Sequence, residues 1–330
     1  MRLVTLKSGS PDGRLAVLSA DHRRALPVDD LYPTLQAALD EWQIALPRLG
    51  KRAALLSAER CEAAVPFVAS TAAAPLPRSY QWLDGSAFQS HGDLMAKVFH
   101  IDNPQSDRPL MYQGMSHEFL SGTDDVELPS EADGIDFEGE FGVITDAVPM
   151  GVGVTAAAAH IRLLVQINDW SLRTLAPIEM KTGFGWIQAK PACSVAPVAV
   201  TPDELGAGWA NDRVALPLNV WWNGARFGAA NGAAMRFSFA ELIVHAARSR
   251  RLCAGTVIGS GTVSNDNFRD IGSSCIAERR AIELLDEGAP RTHYMRFGDS
   301  VRMEATGAGG QTPFGAISQR VVGPRNAAGD

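Results

Sequence analysis

Two glutamates stand two positions apart in the run DGIDFEGEFGVI at 133–144. In an extended strand, positions i and i+2 share a face. Glu138 and Glu140 would then project together, with Phe137, Phe141 and Val143 on the other side. Two ionised carboxylates about 5–6 Å apart repel by roughly 3 kcal/mol at an effective dielectric near 20. On a solvated face, water and salt screen that cost and the pair carries no chemistry. In a cleft the pair needs a positive partner. A hard divalent cation, which takes carboxylate oxygens at about 2.0–2.6 Å, is the natural one. Both readings are open on this stretch alone.

Three further segments carry reactive side chains. LLVQINDWSLR at 163–173 is an apolar run that gives out at Asn168, Asp169 and Trp170, and an acid at such a strand end is a common ligand position. YQWLDGSAFQSHGDLM at 80–95 has Asp84 at a glycine-containing turn and His91 seven positions on (91 − 84 = 7). That spacing puts the acid on the turn and the imidazole on the first turn of the next helix, where a surface or capping role is the competing reading. Lys190 lies in FGWIQAKPACSVAP. Its mostly apolar neighbours argue against a plain exposed loop lysine.

The elements that would position these residues are mostly strands. The chain after about 80 reads as mostly strand and turn, with strands predicted at 137–145, 161–168, 194–200, 214–222, 256–262, 280–286 and 299–305. Helices are predicted at 88–99, 155–160 and 236–249. Residues 1–29 read as short antiparallel strands, and 30–49 as a helix ended by Pro47. The small-residue, proline-rich STAAAPLPRSY at 70–80 reads as a linker, with the domain boundary near 72.

With 330 residues, one or two domains are expected. A net charge of −7, and no basic stripe with interleaved aromatics, argue against a nucleic-acid partner. The four cysteines are far apart, without metal-type spacing, and read as reduced, mostly buried thiols of a cytoplasmic protein. No apolar run approaches the roughly 18 residues of a membrane span. MRLVTLKSGS lacks the apolar stretch of a signal peptide.

Seven segments, DGSAFQSH, MYQG, FEGEFG, NDWSLR, QAKPACS, GSGTVSN and IAERR, occur in this order between about 76 and 305. As an ordered set they resemble the fumarylacetoacetate hydrolase family. The resemblance implies an α+β, mostly β chain: a mixed β-sandwich roll over 73–330, preceded by a small SH3-like β domain at 1–72. It implies Mg²⁺ or Ca²⁺, with Mn²⁺ equally suited by ligand type, held by Asp84, Glu138, Glu140 and Asp169. It makes His91 a general base oriented by Glu278, with Glu283 as the fallback, and makes Lys190 the cation that stabilises an enolate. It places Tyr112 and Thr262 against the substrate, although structural roles are an equal alternative for both.

The departures from the family pattern fall at the distal end of the substrate. Ala176 stands where a glutamine is expected, Ser86 where an aromatic is, and His100 where an arginine is. The expected activity is therefore hydrolysis of a C–C bond in a β-diketo or acylpyruvate-like acid, not necessarily fumarylacetoacetate. The alternatives are a decarboxylase or isomerase of a 2-oxo acid such as oxaloacetate, and a non-catalytic metal-binding member. The family also implies a homodimer.

Overall fold

The computed structural model describes residues 1–58, 61–99 and 107–325. Two β-sheets dominate them. The larger has twelve strands, and its main path runs Val65–Pro66, Arg24–Pro27, Arg14–Leu18, Arg2–Leu6, Ala199–Val200, Ile161–Asn168, Gly139–Thr145, Val257–Gly259, Trp82–Ser86, Leu110–Gly114. The second has five strands: Ala225–Asn231, Pro217–Trp222, Ser300–Ala305, Ile317–Val322 and Val126–Glu127. Neighbouring strands are mostly antiparallel. Val257–Gly259 runs parallel to Trp82–Ser86.

Alternation along Gly139–Thr145 divides the interior into two cores. Phe137, Phe141 and Val143 pack with Leu218, Val220, Met303 and Ile317 between the two sheets. Ile144 faces the opposite way, with Leu163, Val165 and Ile167, into a core shared with Leu3, Leu15, Val17, Trp42 and Leu49. The N-terminal strands extend the large sheet through the Arg2–Leu6 and Ala199–Val200 pairing. The fold is mixed, mostly sheet, with a small N-terminal β unit. Among the described residues no helix is long and apolar enough to cross a membrane.

Three predicted elements stand out as different. Pro47 does not end a helix but lies inside Trp42–Ser57. The break comes earlier, at Glu41, which separates that helix from Leu35–Asp40. An interior proline costs about 3 kcal/mol, and burial of Trp42, Ala45, Leu49 and Leu56 on one face offsets it. The strand predicted at 280–286 is instead part of the helix Ile276–Glu287, which ends on left-handed Gly288. Its buried residues, Ile276, Glu278, Ala281 and Ile282, follow a helical stripe rather than a two-residue alternation. The strand predicted at 256–262 shortens to Val257–Gly259.

Candidate active site

Three neighbouring stretches of the large sheet bring three acids to one place. Asp84 is central in Trp82–Ser86, Glu140 is second in Gly139–Thr145, and Asp169 follows the end of Ile161–Asn168. Each offers an oxygen within 4.8 Å of the other two, and all three are buried. Val257–Gly259 lies between the Asp84 and Glu140 strands and makes this approach feasible. A Cβ on Gly259 would stand 2.3 Å from Oδ1 of Asp84. Gly261, at φ +76, passes so close to Gly85 that a side chain has no room, and its N–H donates to Oδ1 of Asp84 at 3.1 Å.

The fourth acid expected in this set, Glu138, is not among the converging three. Its Oε1 accepts from Ser171 Oγ at 2.8 Å and Lys190 Nζ at 3.1 Å, and Oε2 accepts from Thr262 Oγ1 at 2.8 Å. Arg173 adds an ion pair at 2.6 Å. Burial raises the carboxyl pKa of Glu138, but Lys190 and Arg173 outweigh it and hold the group well below the usual carboxylate range. The carboxylate turns toward two fixed cations rather than toward three like charges.

The triad is under-compensated. Neither carboxylate oxygen of Glu140 meets a hydrogen-bond donor among the described residues, though both are buried. Burial, then the charges of Asp84 and Asp169, push the Glu140 carboxyl well up. Burial and Asp169 do the same to Asp84. Asp169 is the best supported of the three: Cys193 Sγ donates to Oδ1 at 2.9 Å, Tyr112 Oη donates to Oδ2 at 2.7 Å, and Lys190 Nζ also reaches Oδ2. Lys190 is shared with Glu138, so the three acids hold more negative charge than their neighbours offset. Buried carboxylate oxygens without donors are what a hard dication requires. The residues fit such an ion.

Lys190 is itself mostly buried. Burial lowers its ammonium pKa, while Asp169 and Glu138 outweigh that and raise it, so it stays charged. Burial and Asp169 hold the Tyr112 phenol and the Cys193 thiol in their neutral, donating forms. Tyr112 and Thr262 donate their hydroxyl protons to Asp169 and Glu138. Ser86 ends the Asp84 strand, exposed. His100 lies outside the described residues.

The predicted dyad is assembled. His91 lies in the first turn of the helix Gln89–Phe99, and Glu278 in the first turn of Ile276–Glu287. The helices pack through Leu94 against Ala281 and Ile282. The first is tied to the loop bearing Thr262 by a Ser90–Ser264 hydroxyl pair at 2.9 Å. His91 Nδ1 meets Glu278 Oε2 at 2.8 Å. A carboxylate only accepts, so Nδ1 carries the proton and Nε2 is left free. Glu283, the fallback, instead accepts from Thr292.

Sequence reasoning missed Arg173, Ser171, Cys193 and Asp136 as members of this network. All four lie inside the quoted segments or directly beside them, but nothing in the spacing marks a buried donor. The glycine at 139 also finds its reason here. A Cβ there would stand 2.9 Å from Leu218 Cδ2 and 3.4 Å from Met303 Sδ and Ser274 Cβ. Gly139→Ala is expected to cost about 1–3 kcal/mol by overpacking, read as a lower urea midpoint. An unchanged midpoint would mean that Leu218 simply gives way.

Residues 81–322 match the family described as "Fumarylacetoacetate (FAA) hydrolase C-terminal", and residues 1–78 match "Fumarylacetoacetase N-terminal domain 2". No curated protein sequence matches the chain. Among solved structures, an HpcE protein of Mycobacterium smegmatis is similar at a TM-score of 0.70 and 19% identity, covering 98% of this chain and 100% of its own. A maleylpyruvate hydrolase of Sphingobium sp. SYK-6, solved with manganese(II) and pyruvate, gives 0.64 and 16% over 98% and 100%. A 5-carboxymethyl-2-hydroxymuconate delta-isomerase of Mycobacterium smegmatis gives 0.60 and 16% over 99% and 100%. At these identities the structural likeness speaks for the fold alone. With the profile match over most of its length, the chain belongs to the fumarylacetoacetate hydrolase family.

Proposed function

We propose that this protein is a divalent-cation-dependent hydrolase that cleaves a C–C bond in a β-diketo acid of the acylpyruvate type. The observation that carries the reading is the His91–Glu278 hydrogen bond on the helix that follows the Asp84 strand. A cation held by Asp84, Glu140 and Asp169 would supply Lewis-acid polarisation of the 2-oxo acid end of such a substrate.

The chain's own groups account for the rest. His91 Nε2 takes a proton from water, and the resulting hydroxide bonds to the distal acyl carbon. The imidazolium so formed is stabilised by buried Glu278. The C–C bond then breaks, its electron pair passes to the enolate carbon, and a proton returned from His91 completes the second product. Lys190, held charged between Glu138 and Asp169, offsets the negative charge that develops on the leaving fragment.

Likeness to a maleylpyruvate hydrolase fits this substrate class. Likeness to a delta-isomerase fits the alternative, enolisation or decarboxylation of a 2-oxo acid without water attack. Decarboxylation needs no base to activate water, so in that alternative the His91–Glu278 pair has no water to deprotonate. The test is a panel of acylpyruvates beside oxaloacetate, with Mn²⁺ or Mg²⁺, followed by release of pyruvate. Cleavage of acylpyruvates with little action on oxaloacetate is expected. Decarboxylation of oxaloacetate with no acylpyruvate cleaved would overturn the reading.

A further inference from the structure

Asp136 is a fully buried acid that the chemistry above does not use. Its Oδ1 accepts from the backbone N–H of Ile276 at 2.7 Å, and Oδ2 from that of Ala277 at 2.9 Å. Oδ2 also accepts from Arg173 Nε at 2.8 Å. Ile276 and Ala277 are the first two residues of the helix whose third is Glu278. A helix leaves its first N–H groups without internal partners, and an acid there is held by hydrogen bonds and by the helix dipole. The other cap, Cys275 Sγ on the N–H of Glu278 at 3.3 Å, is a weak acceptor. Asp136 is the strong anchor of this turn.

The same carboxylate joins three segments of the site. It stands four positions before Glu140 (140 − 136 = 4). Its strand, Ile135–Asp136, pairs with Ser171–Leu172, which begins two positions after Asp169. Through Arg173 it reaches Glu138. Movement of the Glu278 helix away from the acid triad would have to break these contacts first.

We propose that Asp136 is a positioning residue: it locks the first turn of the Glu278 helix to the segment bearing Glu140, and so aims the His91–Glu278 dyad at the acid triad. The activity arm of the test rests on the hydrolase reading, whereas the spectroscopic arm does not.

Asp136→Asn keeps the size of the side chain but puts an amide NH₂ against Ala277 N–H or Arg173. In the acylpyruvate assay, kcat is expected to fall on the order of a hundredfold, as for a small misplacement of a reacting group. KM and Mn²⁺ affinity should stay within about twofold, in keeping with a positioning effect on the chemical step alone. The loss should vanish in a His91→Ala background, because Asp136 acts through the dyad. A downfield proton resonance of His91 Nδ1–H is expected in the wild type from its hydrogen bond to Glu278 and should be lost in Asp136→Asn. Additive losses in the double variant, or a retained resonance with unchanged kcat, would overturn the proposal. A wild type inactive on every acylpyruvate would sink the hydrolase reading, and the resonance would still decide Asp136. If Asp136→Asn does not fold, amide exchange of the wild type decides: protection of Ile276 and Ala277 N–H to the level of the sheet supports the anchor, and rapid exchange overturns it.

Discussion

Glu140→Gln should abolish the thermal stabilisation that Mn²⁺ gives the wild type, and at the same time make the metal-free protein more stable. Both signs follow from the triad. Three acids share a buried site in which Glu140 has no donor among the described residues. At an effective dielectric near 20, each carboxylate pair about 5 Å apart costs roughly 3 kcal/mol before compensation. Glutamine removes one charge, so the metal-free variant is expected to gain on the order of 1 kcal/mol or more. A cation at a hundred times its Kd stabilises the wild type by about 2.7 kcal/mol, and a variant without the central ligand forfeits that.

The pH dependence has a definite sign. The carboxyls of Asp84 and Glu140 are raised in the folded, metal-free state. Their contribution to stability is present below the ordinary carboxylate range near 4 and is lost as pH rises through the raised values. A bound cation favours the ionised forms and cancels that loss. The Mn²⁺-induced rise in Tm should therefore be larger near pH 8 than near pH 5. Melting curves with Mn²⁺ and with EDTA, and calorimetric titration, read all of this. Wild-type Mn²⁺ affinity in Glu140→Gln would remove the triad as a cation site.

The sequence made the acids legible and left their partners hidden. Alternation alone put Glu138 and Glu140 opposite Phe137 and Phe141, and the phenylalanines do lie in the core between the sheets. What a strand period cannot say is which of two acids on one face meets a cationic side chain. Arg173 and Lys190 turn Glu138 aside, and they come from other segments. Two glycines inside the predicted strands are close-approach residues. Gly139 makes room for Leu218, and Gly259 for Asp84, which is visible only once the strands are packed. The His91–Glu278 pairing was available from the family's motif order, but the helix carrying Glu278 was not. The charged residues there, Arg280, Glu283 and Asp286, recur every third position, a helical spacing that the strand reading overlooked, and packing against Leu94 fixes the buried face. Asp136 meets Ile276 across 140 positions of sequence, beyond any local pattern.

His91→Ala should leave Mn²⁺ binding intact and reduce acylpyruvate hydrolysis by about 10²–10⁴, the usual worth of a general base. The separation of effects is the point of the test. His91 is outside the triad, and the hydrogen bonds described for Asp84 and Asp169 come from Gly261, Cys193, Tyr112 and Lys190 rather than from its ring. Its ring is tied instead to Oε2 of Glu278, whose Oε1 has no hydrogen-bond partner among the described residues. Deletion of the ring therefore leaves a buried carboxylate uncompensated, so some loss of stability should accompany the loss of rate. Glu278→Gln separates the two. It removes the buried charge, so it should not destabilise in that way, yet its amide can donate to Nδ1 and force the proton onto Nε2. An imidazole protonated at Nε2 cannot take a proton from water, and hydrolysis should fall although the ring stays in place. Full turnover in His91→Ala would exclude the dyad as the base. Equal loss of Mn²⁺ affinity and of turnover would instead make His91 part of the cation site.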